Sequence, residues 1–256
     1  MRLRFTIAWD GRPFSGWQSQ PGGNTVQDFL EAAVAKILKS PAPVPVHGSG
    51  RTDTGVHAFG QVAHCDIPDT CRMDLPAWQR ALNVHLPPAI RIMDVAFAPD
   101  NFHARFDAIG KTYRYRLWTG PVLPPLEAGL AWHIPHPLDF SLLETACLHC
   151  QGEHDFAAFA ANRGDGKDEG RNTIRSLWTL KVENHAPLVT LTFHGSGFLY
   201  HMVRMLTGSI IRVAQGRSPL TWLTRLLTAP GSQKTNHTAP PDGLYLMSVD
   251  YPPSLQ

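Results

Sequence analysis

The residues best suited to chemistry stand together in one polar, glycine-rich segment, His47-Gly-Ser-Gly-Arg-Thr-Asp-Thr-Gly-Val-His57. Within it Asp53 follows Arg51 by two residues, and a nearby arginine favours the ionised form of a carboxyl group. An ionised aspartate beside a sugar carbon can act as a covalent nucleophile. The same pattern also suits a turn in which the Asp53 side chain bonds nearby backbone. Spacing alone leaves both interpretations open.

The known nucleotide-binding loops do not fit this segment. A dinucleotide site needs a third glycine and a following helix, whereas a strand is predicted after Gly55. A phosphate loop needs Gly-Lys-Ser/Thr, which the segment does not contain. The segment is therefore interpreted as a carboxylate on a tight turn.

A second group of reactive residues is Cys147-Leu-His-Cys150, which has the spacing of a zinc-binding pair. The other two cysteines, Cys65 and Cys71, are separated by five residues, which is a poor second pair for a structural zinc site. Free cysteine also behaves as a small apolar residue, so Cys147 can simply pack on a helix with Leu143. We expect packing, and nothing in the sequence calls for a metal or an organic cofactor.

Composition sets broad limits on the class of protein. The 256 residues are 43% hydrophobic and 17% charged, which is typical of a globular chain with a real core. The net charge is only +2, but RNA can still be bound if the basic residues collect on one face. The first residues show no secretory signal, and no apolar run is long enough for a membrane span. A cytoplasmic protein is expected.

The elements around the polar segment follow a regular order. Apolar residues alternate from Leu3 to Trp9, which predicts a strand, and Thr25 with Asp28 predicts a capped helix that stops before Ser40. Further patterns predict strands at 44–47 and 61–67, a helix at 76–82 and a strand at 90–97. The first half therefore reads β-α-β-β-α-β.

The second half repeats this order. Predicted strands cover 112–118, 174–182, 188–193 and 244–249, and predicted helices cover 141–152, 198–214 and 220–227, the first capped by Ser141 with Glu144. Two such units predict an α+β fold of tandem ferredoxin-like halves with a mostly antiparallel sheet. The predicted domains are 1–104, which carries the Asp53 segment, and 105–256.

A loop and a helix contain further basic residues. Residues 162–172 include no apolar side chain and are predicted to form an exposed loop, either a plain connection or an RNA contact through Arg163, Lys167 and Arg171. On the helix 198–214 Arg204 lies opposite the apolar stripe, beside Tyr200. That side is unusually apolar for a free surface, so a second buried contact is expected there.

Six motifs occur in an order that is typical of one family. They are Phe14-Ser-Gly-Trp-Gln-Ser-Gln20, Gly50-Arg-Thr-Asp-Thr-Gly-Val-His-Ala58, Asn101-Phe-His-Ala-Arg-Phe-Asp-Ala108, Lys111-Thr-Tyr-Arg-Tyr-Arg116, His201-Met-Val-Arg-Met205 and Gly243-Leu-Tyr-Leu246. The chain resembles the tRNA pseudouridine synthase A family from about Ile7 to Tyr251. It departs from the family pattern at Trp9, usually tyrosine, and at Thr54, usually alanine.

The resemblance implies a function and a set of site residues. It implies the pseudouridine synthase fold with a central cleft, and a cofactor-free isomerase that acts as a homodimer. The reaction converts a flipped-out uridine to pseudouridine in the anticodon stem-loop of tRNA, at tRNA positions 38–40. Carried over by position, Asp53 is the nucleophile, Tyr113 packs against the target uracil, Arg204 pairs with the nucleophile, Leu244 forms the apolar wall and Arg51 handles the flipped base.

Other functions are compatible with parts of this pattern. A non-catalytic RNA-binding protein on the same fold is the main alternative, and a carboxylate hydrolase of nucleosides is another. Whether the protein is a synthase or a non-catalytic RNA-binding protein, the tRNA body is expected to be recognised by its shape and through contacts of its phosphates with basic residues. The candidates are Arg12, Arg105, Arg114 and Arg116.

Overall fold

The structure is a computed structural model that describes residues 1–162, 170, 172–231 and 233–255. Arg163, Lys167 and Arg171 of the polar loop lie outside the described residues. The strands are β1 (Arg2–Trp9), β2 (His47–Gly48), β3 (His57–Asp66), β4 (Ile90–Ala98), β5 (Gly110–Trp118), β6 (Trp132–His133), β7 (Gly152–Asp155), β8 (Ile174–His185), β9 (Leu188–Gly195) and β10 (Leu244–Asp250). The helices are α1 (Val26–Leu38), α2 (Leu75–His85), α3 (Phe140–Cys150), α4 (Met202–Ala214) and α5 (Leu220–Thr228).

The chain divides into two compact units. Unit 1 comprises Met1–Ile109 and Tyr245–Gln256, and unit 2 comprises Gly110–Leu244. The predicted class, α+β with mostly antiparallel strands, is confirmed in each of them. The predicted domains 1–104 and 105–256 stay a prediction.

Unit 1 contains a sheet and two helices, with α2 packed on β4 and α1 packed on α2. β1 pairs antiparallel with both β3 and β4, and its side chains alternate between buried and half-buried because successive residues point to opposite faces. α1 begins with the predicted capping box, since the Thr25 side chain accepts from Asp28 and the Asp28 side chain accepts from Thr25. Tyr245 of β10 pairs parallel with His57 of β3, so the last strand belongs to this unit.

The strand that follows the Asp53 segment begins earlier than its sequence pattern indicates. β3 starts at His57 instead of residue 61, because Ala58 pairs with Trp9 on one side and with Leu246 on the other. Both partners are remote in sequence, so local alternation could not reveal them. The loop that carries Asp53 is therefore short and tied to a strand at its end.

Unit 2 contains an antiparallel sheet in the order β5-β9-β8-β7, with β6 parallel to β5. α3 packs on β8 and on α4. The sequence did not predict β7, whose residues Gly-Glu-His-Asp are polar and show no apolar alternation. The prediction that Ser141 caps α3 is wrong: Asp139 is the capping residue, and its carboxylate accepts the Leu142 N–H at 3.0 Å.

The long helix of unit 2 is buried on almost every side. α4 begins at Met202 and not at residue 198, because His201 has a left-handed backbone with φ of 61° and ends the preceding turn. Every residue of α4 is buried except Arg204 and Arg212. Arg204 is thus one of two residues of α4 whose side chains reach the surface, whereas the rest of the helix is core.

Candidate active site

Asp53 lies on a turn between β2 and β3. The Val56 N–H donates to the Asp53 carbonyl at 3.1 Å and closes the turn, and Gly55 takes a left-handed backbone with φ of 81°. Asp53 is half-buried and its neighbour Thr54 is exposed. The carboxylate therefore belongs to a residue whose backbone is fixed while part of its surface reaches solvent.

The segment that precedes α1 holds this turn from one side. The Trp17 N–H donates to the Thr52 carbonyl at 3.2 Å, and the Trp9 indole donates to the Val56 carbonyl at 2.9 Å. Gly16 has φ of 88°, and a Cβ added there would lie 2.7 Å from the Thr52 oxygen. The backbone of the Asp53 turn is thus in direct contact with the Phe14-Ser-Gly-Trp17 motif, which explains why that motif accompanies it.

A buried glutamine holds the turn from the other side. Gln61 is fully buried on β3, where its Oε1 accepts from the Ser49 hydroxyl at 2.5 Å and its Nε2 donates to the Gly50 carbonyl at 2.9 Å. The Ser49 N–H donates to the Val62 carbonyl at 2.8 Å. Sequence reasoning missed Gln61. The available signal was a polar residue at a core position of a predicted strand, since a buried amide needs partners.

Arg51 stands on the same loop as Asp53, with an exposed side chain. Its Nε donates to the Gln18 side-chain oxygen at 3.0 Å, so the Phe14–Gln20 motif orients the guanidinium as well as the turn. Arg51 and Asp53 are thus two predicted site residues that the structure places on one loop.

Tyr113 and Tyr115 point to the same face of β5 but differ in accessibility. Tyr115 is fully buried, and its hydroxyl donates to the Pro240 carbonyl. Tyr113 is only half-buried, and its ring meets the Phe198 ring edge-on with centroids 5.1 Å apart. Tyr113 is therefore the member of the pair that keeps surface for a ligand, whereas Tyr115 is a core residue.

Arg204 is anchored by the segment that runs beside α4. Its Nε donates to the Ala239 carbonyl at 2.9 Å, and the Ala239 N–H donates back to the Arg204 carbonyl at 3.1 Å. The same segment approaches Gly208, where an added Cβ would lie 2.3 Å from the His237 oxygen. The second buried contact expected on this side of the helix is confirmed, and residues 235–239 supply it.

Leu244 is the first residue of β10 and is 4% exposed. Gly243 precedes it with φ of 82°, and a Cβ there would lie 2.4 Å from the Arg116 oxygen. Leu244, Tyr113 and Arg204 all belong to unit 2, whereas Arg51 and Asp53 belong to unit 1. A pocket that combines all five residues stays a prediction.

The four arginines expected to contact tRNA phosphates differ in their partners. Arg12 forms an ion pair with Asp10 at 2.6 Å and Arg116 one with Glu127 at 2.8 Å. Arg105 is exposed, with its guanidinium 5.7 Å from the Phe106 ring centre. The Arg114 Nε is buried, and it has no hydrogen-bond partner among the described residues.

The two cysteines of the zinc-like pair are both buried on α3. Burial raises the pKa of the Cys150 thiol to about 12 and raises the pKa of the Cys147 thiol as well, so both thiols favour the protonated form. In the described part of the chain no group of three or more histidine, cysteine and acidic residues could hold a metal ion. Across the same residues, no helix combines the length and apolar character needed to cross a membrane.

The sequence of the chain matches a known protein family. The family model for tRNA pseudouridine synthase matches residues 6–107 and 146–252. A protein of Akkermansia muciniphila named tRNA pseudouridine synthase A is 50% identical, over 98% of this chain and 95% of that protein. Proteins of the same name from Bordetella petrii and Methylacidiphilum infernorum are 40% and 41% identical, each over 98% of this chain and 92% and 95% of their own length.

The chain therefore belongs to the tRNA pseudouridine synthase family, as its six motifs predicted. Its class of enzyme, an isomerase, is confirmed with the family. Both matched regions include predicted site residues: Asp53 and Arg51 lie in the first and Arg204 and Leu244 in the second, whereas Tyr113 lies between the two regions.

Proposed function

We propose that this protein converts uridine to pseudouridine in the anticodon stem-loop of tRNA, at tRNA positions 38–40, with Asp53 as the nucleophile. The observation that carries the proposal is the Asp53 turn. Its backbone is fixed by Trp9, Gly16 and Trp17 while the aspartate itself stays partly accessible. An enzyme gains from a nucleophile whose position is set before the substrate arrives.

The reaction needs no co-reactant. The bond between uracil nitrogen and ribose carbon breaks, the freed uracil turns, and a bond forms from uracil carbon 5 to the same ribose carbon. The proton on carbon 5 then leaves, and a nitrogen takes one up. Asp53 either attacks the ribose carbon or removes a sugar proton, and both routes use one ionised carboxylate.

The target uridine must leave the base stack before the carboxylate can reach its ribose. In this proposal Arg51 handles the flipped nucleotide, Tyr113 packs against the uracil ring and Leu244 supplies an apolar wall. Arg204 is the basic partner of the nucleophile and favours its ionised form. The half-buried Tyr113 and the guanidinium of Arg204, already oriented by Ala239, are suited to these roles.

The test is release of tritium from uracil carbon 5 of labelled, unmodified tRNA. We expect release by the wild type and none by Asp53→Asn, with tRNA affinity nearly unchanged. Asp94→Asn, an exposed aspartate on β4, is the matched control and should release tritium at the wild-type rate. Turnover by Asp53→Asn would overturn the assignment of the nucleophile. Absence of release by the wild type, with tRNA still bound, would favour the non-catalytic RNA-binding alternative.

The proposal extends to a cytoplasmic homodimer, the state that the family resemblance implies. Sedimentation at several protein concentrations measures the oligomeric state directly. A mass of one chain throughout, with full activity, would contradict the dimer without affecting the reaction.

A further inference from the structure

His57 is a buried residue next to the Asp53 turn. The proposed reaction gives His57 no role. It opens β3, four positions after Asp53, and is 2% exposed. Its ring lies flat against the Tyr245 ring, with centroids 4.6 Å apart and planes 18° apart. Tyr245 is also the residue that pairs with His57 between β10 and β3. The imidazole is therefore held in one orientation by a neighbouring strand.

The orientation places one ring nitrogen against a backbone donor. The Gly11 N–H donates to His57 Nδ1 at 3.0 Å, which requires a lone pair on Nδ1 and places the ring proton of the neutral form on Nε2. Asp10 Oδ1 lies 3.3 Å from the same nitrogen. Arg12 forms hydrogen bonds to this carboxylate and lowers its pKa, so Asp10 is ionised. The neutral ring can accept from Gly11, whereas a proton on Nδ1 would break that bond.

Two contacts of one short segment, residues 9–11, converge on the end of the turn. Gly11 approaches so closely that an added Cβ would lie 2.3 Å from the Val56 oxygen. The Trp9 indole donates to that same oxygen, and the Val56 N–H closes the turn on Asp53. Gly11 and the Trp9 indole thus both lie against the carbonyl of Val56, the residue that closes the Asp53 turn.

We propose that His57 is a positioning residue: its Nδ1 lone pair fastens the Gly11 backbone to Val56 and so sets the place of the Asp53 carboxylate. This inference rests on the proposed role of Asp53. His57 does not touch the reacting atoms and acts through the turn. A shift of about 1 Å in a catalytic group can lower the rate by roughly a hundredfold, so the effect belongs in kcat.

Two substitutions distinguish the contribution of the Nδ1 acceptor from the contribution of ring packing. His57→Phe keeps a flat ring against Tyr245 but removes the acceptor. His57→Asn removes the ring but places an amide oxygen close to the position of Nδ1. We expect His57→Phe to lower kcat by roughly tenfold to a hundredfold with KM and tRNA affinity within about twofold of wild type. His57→Asn should recover most of that loss.

The closing experiment pairs these rates with hydrogen exchange of the backbone amides of residues 52–57 in the full chain. Faster exchange in His57→Phe, with slower exchange restored in His57→Asn, supports the positioning role even if no turnover is seen. Equal exchange and equal kcat in wild type and His57→Phe would overturn it. So would an equal loss in both variants, because ring packing would then be the cause. Absence of tritium release by the wild type would overturn the proposed function alone, because the exchange comparison still decides the role of His57.

Discussion

The Asp53 turn in unit 1 and the Arg204 region in unit 2 are both held by remote segments, but by different atoms. The turn is fixed mainly through backbone: Gly16 lies against the Thr52 carbonyl, and Trp17 donates its N–H to it. Arg204 is fixed through its own guanidinium, which donates to Ala239. The position of Asp53 therefore depends on the absence of a side chain at Gly16. The position of the Arg204 guanidinium depends instead on the shape of the arginine side chain itself.

The largest effect is expected where the backbone contact is broken. Gly16→Ala adds a Cβ 2.7 Å from the Thr52 oxygen and forces a residue with φ of 88° to carry a side chain. We expect a loss of about 3 kcal/mol or more in the free energy of unfolding and a large fall in kcat. Gly22→Ala is the control: it has φ of 102° and no atom within 4 Å, so only about 1–2 kcal/mol should be lost. Urea unfolding of both variants measures the difference, and equal losses would show that the contact does not matter.

An intermediate effect is expected from His64, which lies at the end of β3 remote from the Asp53 turn, and it concerns the pH dependence of the stability of unit 1. Burial, together with Arg2 and His103, lowers the pKa of His64 to about 4 from 6.5. The unfolded chain binds this proton more readily, so stability should be complete above pH 6.5 and fall as the pH drops toward 4. At pH 5 the loss from His64 is about 2 kcal/mol.

The measurement is urea unfolding of wild type and His64→Asn at pH 7.5 and pH 5. Asparagine keeps an acceptor for the Ala104 N–H, which donates to His64 Nδ1 at 3.2 Å. The variant should lose less stability between the two pH values than the wild type. The same pH dependence in both proteins would show that His64 is protonated in the folded state.

The smallest effect is expected where a side-chain contact is changed but its charge is kept. Arg204→Lys loses the Nε donor to Ala239, so we expect kcat/KM to fall about tenfold, which corresponds to roughly 1.4 kcal/mol. Arg212→Lys is the control on the same helix, since its Nε donates to the Ser218 hydroxyl at 2.7 Å. Steady-state kinetics on tRNA compare the two. An equal fall in both would point to the helix and not to the site.

The sequence predicted the elements of unit 1 well because their signals are local. The alternation of β1 and the capping box at Thr25 can be read within a few residues, and both are present. Long-range pairing explains the early start of β3, and the left-handed His201 explains the late start of α4. Neither leaves a local pattern that could be read beforehand.

The candidate site was predicted from a family resemblance and not from residue patterns. On pattern alone Asp53 fits a turn-former, and Tyr113 cannot be told from its neighbour Tyr115, although only Tyr115 is fully buried. The buried supports Gln61 and His57 were missed because their roles depend on partners far along the chain. Local patterns identify which residues are polar, while tertiary contacts decide which of them are held in place.

The return of β10 to unit 1 has a consequence for synthesis on the ribosome. Unit 1 begins at the first residue but receives its last strand only after residues 110–244 have been made. Until then the β3 edge that pairs with Tyr245 is open, and His57 lacks the ring that holds it flat. Unit 2, by contrast, is continuous in sequence and can fold as soon as it emerges. The Asp53 turn is therefore expected to reach its final form only after the residues of β10 have been made.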